Sequence, residues 1–159
     1  IKNKIKIIHN EITQNKEDIQ IEYFSDANTR QNFINELKSR RKLDIIKGFT
    51  TKGIHRDDFY IYINNELVNI YGSQGQHRTA ILSLKIAEIE IVKEEIGENP
   101  ILLLDDVFSE LDRNRINFLI DYVSKYQVFI TTTEVDSINN IENKEIFKIK
   151  NGTVEKIKN

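Results

Sequence analysis

The segment ILLLDDVFSELD (residues 101–112) decides how the chain is to be read. Four apolar residues run without interruption into two carboxylates, Asp105 and Asp106. A short continuous apolar run of this kind predicts a strand buried on both faces of a parallel sheet. In an open α/β sheet, ligands gather at the carboxyl ends of the strands, where these acids fall. In phosphoryl-transfer sites the first such acid holds Mg2+, directly or through water, and the next orients the attacking water. The bland alternative is a solvated acidic turn after a strand. Ser109 or Asp112, in the SELD that follows, is suited to cap the next helix.

Upstream, YGSQGQHRTAILSLKIAEIE (residues 71–90) opens with a polar turn and becomes a helical pattern expected from about Gln74 to Ile96. Helix N-termini carry unpaired amides and partial positive charge, which suits them to phosphate. Gly75 permits close backbone approach, and Ser73 adds a hydroxyl. The competing reading is a glycine-containing turn that only starts a helix. The helix is broken at ENP, where Pro100 is the only proline in the chain.

Downstream, DRNRINFLIDYVSKY (112–126) predicts an amphipathic helix and QVFITTT (127–133) a second buried strand. EIFKIKNGTVEKIK closes the chain as a hairpin with Asn151-Gly152 at its turn. On the other side, FYIYINNELVNIYG (59–72) reads as a hairpin around Asn64-Asn65. IQIEYF (19–24) reads as a strand. SDANTRQNFINELKSRRKLDIIKG predicts a helix capped by Ser25 or Asp26 and ending near Gly48. Ile1, Ile5, Ile8 and Ile12 form a narrow seam of coiled-coil type, the end of a longer helical arm.

The bulk properties set bounds. The 159 residues are 39% hydrophobic and 30% charged, with a formal net charge of −2, as in an ordinary globular domain. The charge excludes a uniformly basic nucleic-acid binder but leaves room for a local patch such as KSRRK (38–42), which is equally a solvated face. The absence of cysteine removes disulfide frameworks and thiolate metal sites. No membrane-length apolar run or signal peptide is visible, and a cytoplasmic location is expected. The chain begins Ile-Lys-Asn and holds no methionine. The expectation is a C-terminal piece of a longer protein, with residues 1–18 as the end of an arm and 19–159 as one lobe.

Order now matters. SQGQ at the head of a long helix, a strand ending LLLDD, then SELD, then a strand ending TTT is the order of signature, Walker B, D-loop and switch strand in ABC-type ATPases. Within that class GSQGQHRTAILSLKIAE, PILLLDDVFSELD and FITTT resemble the RecF family of bacterial recombination mediators. GIHRDD (53–58) resembles that family's Gly-Pro-His-Arg-Asp-Asp, with Ile54 in place of the proline. The resemblance covers residues 48–135 most strongly. It implies an α/β fold, the C-terminal half of an ABC-type ATPase head: a parallel sheet core with flanking helices, β-hairpins and the end of an arm.

It also implies roles. Asp105 matches the acid that holds Mg2+. Asp106 matches the catalytic base, where most ABC enzymes carry the longer Glu, so slow hydrolysis is expected. Ser73, Gln74, Gly75 and Gln76 match the signature, which touches the γ-phosphate of ATP held by a partner head. Ser109, Glu110, Leu111 and Asp112 match the D-loop. Thr133 stands where many ABC proteins have a switch histidine, and a neutral hydroxyl cannot supply that cation. The partners implied are DNA at gaps or single-strand/double-strand junctions, a second head joined in an ATP-dependent head-to-head dimer, and recombination mediator proteins. The processes implied are DNA repair, recombination, replication and the SOS response.

A phosphate-cradling loop G-x-x-x-x-G-K-[ST] does not occur. Gly48 and Gly53 have the spacing, but Ile54 and His55 follow. The 159 residues alone are therefore expected not to hydrolyse ATP. Three rival readings are an SMC-like chromosome-organising head, a metal-dependent nuclease using Asp57, Asp58, Asp105 and Asp106, and a non-enzymatic interaction domain. The nuclease would need those acids to meet on one metal pair. For HRDD the bland reading is a polar strand edge with Arg56 paired to a carboxylate.

Overall fold

The computed structural model describes residues 1–25, 29–133, 141 and 143–157. They fall into two compact units, Ile1–Glu98 and Asn99–Asn159.

The first unit is built on two helices. α1 (Lys2–Thr13) buries Ile5, Ile8 and His9, while Ile12 is half-buried and Ile1 is 54% exposed. The seam is thus narrower than the four-isoleucine pattern, and a histidine belongs to it. α4 (Gln74–Ile96) buries Thr79, Ala80, Leu82, Ser83, Ile86 and Ala87. Lys4 pairs with Glu94 near one end and His9 meets Ser83 further along, so α1 and α4 run antiparallel. Each fully buried isoleucine in this seam contributes about 1.5–3 kcal/mol. Gly97, in the left-handed region at φ 78°, ends α4.

Beside them lies an antiparallel sheet, β1 (Ile19–Phe24), β2 (Asp58–Ile63) and β3 (Glu66–Leu67). Asn64 and Asn65 take positive φ at the β2–β3 turn, as the two-residue turn requires. Asn64 is pinned by a mutual pair of bonds with Asp18, each 2.9 Å. The second arm of the expected hairpin is cut short. β3 has two residues, and the chain then winds into α3 (Val68–Tyr71), which buries Val68.

α2 (Arg30–Lys47) is capped by Thr29, whose hydroxyl accepts from Asn32 N–H at 3.2 Å, not by Ser25 or Asp26. Threonine is a competent cap three residues closer to the helix, and Asp26 lies outside the described residues. α2 ends at Gly48 as expected and has no buried residue.

In the second unit β4 (Leu102–Asp105) and β5 (Val128–Thr131) pair in parallel, with Asp105 opposite Thr131. Leu102 is buried, but Leu103 is 77% and Phe129 58% exposed, so these strands are not buried on both faces. Their side chains alternate across the pleat, and this sheet has two strands among the described residues, leaving one face uncovered. α5 (Arg113–Val123) buries Ile116, Leu119 and Val123. β6 (Ile146–Lys150) and β7 (Thr153–Ile157) form the expected closing hairpin, with Asn151 and Gly152 at φ 50° and 76°.

Candidate nucleotide site

The carboxyl end of β4 carries the acidic pair. Asp105 is the last residue of the strand, and its Oδ1 accepts the Thr131 hydroxyl from the neighbouring strand. Asp106 follows at φ 48°, in the left-handed region, and its N–H donates to both the Thr131 carbonyl and the Thr131 Oγ1 at 3.1 Å. Aspartate is among the few non-glycine residues that tolerate this conformation. The turn separates the two carboxylates: Asp105 is bound to the strand pair, and Asp106 is aimed by a backbone reversal. Both are exposed.

A 3₁₀ turn (Val107–Glu110) leads away from Asp106. Within it the Ser109 hydroxyl donates to the Asp106 carbonyl at 2.8 Å and buttresses the reversal. Asp112 is the cap of α5, accepting from Asn114 and Arg115 N–H at 3.0 and 3.1 Å, and it also pairs with the Arg115 side chain. Ser109 and Asp112 therefore have structural tasks whatever else they meet. Leu111 is half-buried. Thr133 is exposed beyond the end of β5, two residues after Thr131.

The SQGQ turn lies at the start of α4, as read from the sequence. Ser73 and Gln74 are exposed, Gly75 and Gln76 half-buried. Ser73 and Gln76 form a reciprocal capping box: Ser73 Oγ accepts from Gln76 N–H at 3.2 Å, and Gln76 Oε1 accepts from Ser73 N–H at 2.9 Å. The Ser73 lone pair is engaged with the backbone, while its hydroxyl proton can still reach outward. Gly72 just before it is required sterically. A Cβ there would sit 2.6 Å from the Val68 carbonyl oxygen.

The GIHRDD segment is structural in its contacts. Asp57 accepts the Tyr23 hydroxyl, and Asp58 accepts from Phe59 N–H at 2.8 Å. His55 Nε2 meets the Thr50 carbonyl at 3.0 Å. Arg56 lies over the Phe49 ring at 5.8 Å, and among the described residues it has no carboxylate partner. Among the described residues no three His, Asp or Glu side chains gather to hold a metal.

Sequence reasoning missed Thr131, Glu17 and His9. Thr131 was read as part of an undifferentiated TTT. It is the threonine directly opposite Asp105 in the parallel register. Glu17 accepts from the Gln76 side-chain amide at 3.1 Å across 59 residues, a contact no local pattern reveals.

No protein-family profile matches the chain. Curated relatives do. It is 44% identical over 156 residues to the DNA replication and repair protein RecF of Clostridium perfringens (strain SM101 / Type A), covering 94% of this chain and 43% of the relative. It is 48% identical over 155 residues to the RecF of Lactococcus lactis subsp. cremoris (strain MG1363), covering 96% and 43%. The chain is homologous to RecF. A solved structure of the recombination mediator protein RecF-ATPrS in the RecFOR pathway superposes with a TM-score of 0.76 at 38% identity, over 99% of this chain and 43% of that one. The RecF-ATP structure gives 0.74 at 37% identity, with the same coverage. An SMC ATPase structure, described by its ATP-driven dimerization and DNA-stimulated activation, shares the fold at a TM-score of 0.52 and 11% identity, covering 98% of this chain and 83% of that one. The α/β fold is that of the C-terminal half of an ABC-type ATPase head. The chain spans less than half the length of these RecF relatives.

Proposed function

We propose that the chain is the C-terminal portion of a RecF-type DNA-repair ATPase and supplies the hydrolytic acids and the phosphate-contacting turn. One observation carries this: Asp105 ends a parallel strand with its carboxylate held by Thr131, and Asp106 turns away from it in a left-handed reversal. That arrangement separates a metal-holding acid from a water-orienting one. The donor set fits Mg2+. A single exposed carboxylate beside a hydroxyl suits an ion that keeps its waters and takes other ligands from phosphate. When bound, Mg2+ with ATP would supply charge neutralisation on the phosphate oxygens. Asp106 would hold the attacking water and take its proton, one methylene short of a glutamate.

The resemblance to the RecF relatives supports the remaining assignments. The Ser73–Gln76 turn would meet the γ-phosphate of ATP held on a second head, and the Ser109–Asp112 segment would cross that interface. Residues 1–18 are the end of an arm, and 19–159 are head. Thr133 occupies the switch position without a cation. DNA would be bound by the closed dimer, with hydrolysis reopening it. The work would be loading recombinase at gaps alongside other mediator proteins, in the cytoplasm. α2 supports the DNA reading with six basic residues against two acidic ones, and none of its residues is buried. Among the described residues no helix is long and apolar enough to cross a membrane.

The test is Ser73→Arg in the intact protein. Light scattering with and without ATP should show loss of nucleotide-dependent dimerisation. Ser73→Ala serves as the control for the lost cap, which costs about 0.5–2 kcal/mol. A folded Arg variant that still dimerises would show that the turn only starts a helix.

A further inference from the structure

A chain of polar side chains runs from the interior of the α1–α4 seam to the SQGQ turn. His9 is fully buried between the two helices. Its Nδ1 lies 3.1 Å from Ser83 Oγ and its Nε2 3.2 Å from Glu17 Oε2. The other Glu17 oxygen accepts from Gln76 Nε2 at 3.1 Å, and Gln76 closes the capping box on Ser73. From the far side, Ser83 Oγ donates to the Thr79 carbonyl at 2.7 Å, and Thr79 Oγ1 donates to the Gly75 carbonyl at 2.8 Å. The turn is therefore reached by two routes, through Gln76 and through Gly75, and both lead back to His9.

The Ser83 hydroxyl donates to the Thr79 carbonyl, which leaves its oxygen to accept from His9 Nδ1, while His9 Nε2 faces a Glu17 carboxylate oxygen. A hydrogen on each ring nitrogen satisfies both contacts.

We propose that Glu17, held against the buried His9 ring, is the positioning residue of the SQGQ turn, fixing the Gln76 side chain and with it the capping box that aims Ser73. A carboxylate held at one end by a buried ring nitrogen cannot follow solvent, so Gln76 is held in the rotamer that serves Ser73. α1 thereby reaches the turn through His9, Glu17 and Gln76, and a displacement of α1 along α4 would reach Ser73 by that route. The functional weight of this link rests on the phosphate-contact reading of the turn. The link itself can be tested without nucleotide.

The experiment is residue-resolved amide hydrogen exchange on the 159-residue chain, comparing the parent with Glu17→Ala and Glu17→Gln. The capping-box amides of Ser73 and Gln76 are read against those of Ile86 and Ala87, deep in α4. Glu17→Ala should speed exchange at Ser73 and Gln76 by about three- to tenfold, the worth of one hydrogen bond, and leave Ile86 and Ala87 unchanged. Glu17→Gln keeps an acceptor for Gln76 but turns its amide NH2 toward His9 Nε2, so it should restore only part of the protection. Unchanged exchange at Ser73 and Gln76 overturns the proposal, and so does equal acceleration at all four positions, which would mark Glu17 as a packing residue. Should Glu17→Ala fail to fold, ring nitrogen shifts of His9 in the parent decide, because a nitrogen without hydrogen at Nε2 breaks the link. Loss of dimerisation on Ser73→Arg with no effect of Glu17→Ala on exchange would reject this link and keep the function.

Discussion

Thr131 donates its hydroxyl to the Asp105 carboxylate across the parallel β4–β5 pair, and the same oxygen receives the Asp106 amide. One threonine thus orients the Asp105 carboxylate, proposed to hold Mg2+, and anchors the residue after it. Thr131→Val preserves shape and β-propensity but removes both contacts. In the intact RecF-type protein it should weaken Mg2+-dependent ATP turnover by about 10–100-fold, the usual effect of removing a group that orients a metal ligand. Titrating Mg2+ should show the loss as a raised metal requirement. Parent-like turnover at low Mg2+ would remove Thr131 from the site.

Asp106→Asn should leave nucleotide binding intact and stall hydrolysis, leaving the dimer closed. The substitution keeps size and tolerance for positive φ, so the reversal at φ 48° should survive. Single-turnover measurement separates the steps. Hydrolysis at the parent rate would show that Asp106 is not the base.

Gly72→Ala tests the joint between α3 and α4. The added Cβ would fall 2.6 Å from the Val68 carbonyl and 2.9 Å from Val68 Cγ1. Because one clashing atom is backbone, relief requires moving the chain that presents Ser73. A loss of about 1–3 kcal/mol in urea unfolding is expected, with amide shifts concentrated at 73–76. A change within about 0.5 kcal/mol, ordinary for a surface site, would contradict the steric reading.

Asp44 gives a prediction in pH. Its carboxylate accepts from the Thr51 hydroxyl at 2.6 Å and from Thr51 N–H at 2.9 Å, and these bonds hold it below the usual carboxylate range. The folded form binds its proton less readily than the unfolded chain. The stabilisation is therefore fully present above the ordinary aspartate value and is lost as pH falls through the depressed one. The Thr51 amide resonance should shift in that acid window and stay flat in Asp44→Asn. A Thr51 amide insensitive to acid in the parent chain would refute the coupling.

Much of the architecture was legible because it rests on local period and punctuation. α4 spans the residues its pattern marks out, Gln74 to Ile96 ahead of ENP, and the Asn151-Gly152 hairpin needs only its turn chemistry. The second arm after Asn65 was misread. ELVNIY has the alternation of a strand, but after two residues Val68 goes inward and the chain coils to reach Gly72. The exposure of Leu103 and Phe129 was equally beyond a pattern that counts apolar residues but cannot say what covers them. At the site, the acidic pair and the turn were readable from order and spacing. The ties that orient them were not, since Thr131 to Asp105 spans 26 residues and Glu17 to Gln76 spans 59. His9 had one faint signal, an imidazole lodged beside Ile5, Ile8 and Ile12.

The left-handed backbone at Asp106 also restricts which sequences can occupy the site. A β-branched residue is excluded there by its own Cβ, and an unbranched one such as glutamate meets a smaller version of the same conflict. Glycine fits but brings no carboxylate, and asparagine fits but cannot take a proton. Among acids, the shorter one suits this bend better. Slow chemistry at Asp106, the proposed base, would then be a property inherited from the shape of the chain, and a faster variant would have to rebuild the turn before it could lengthen the side chain.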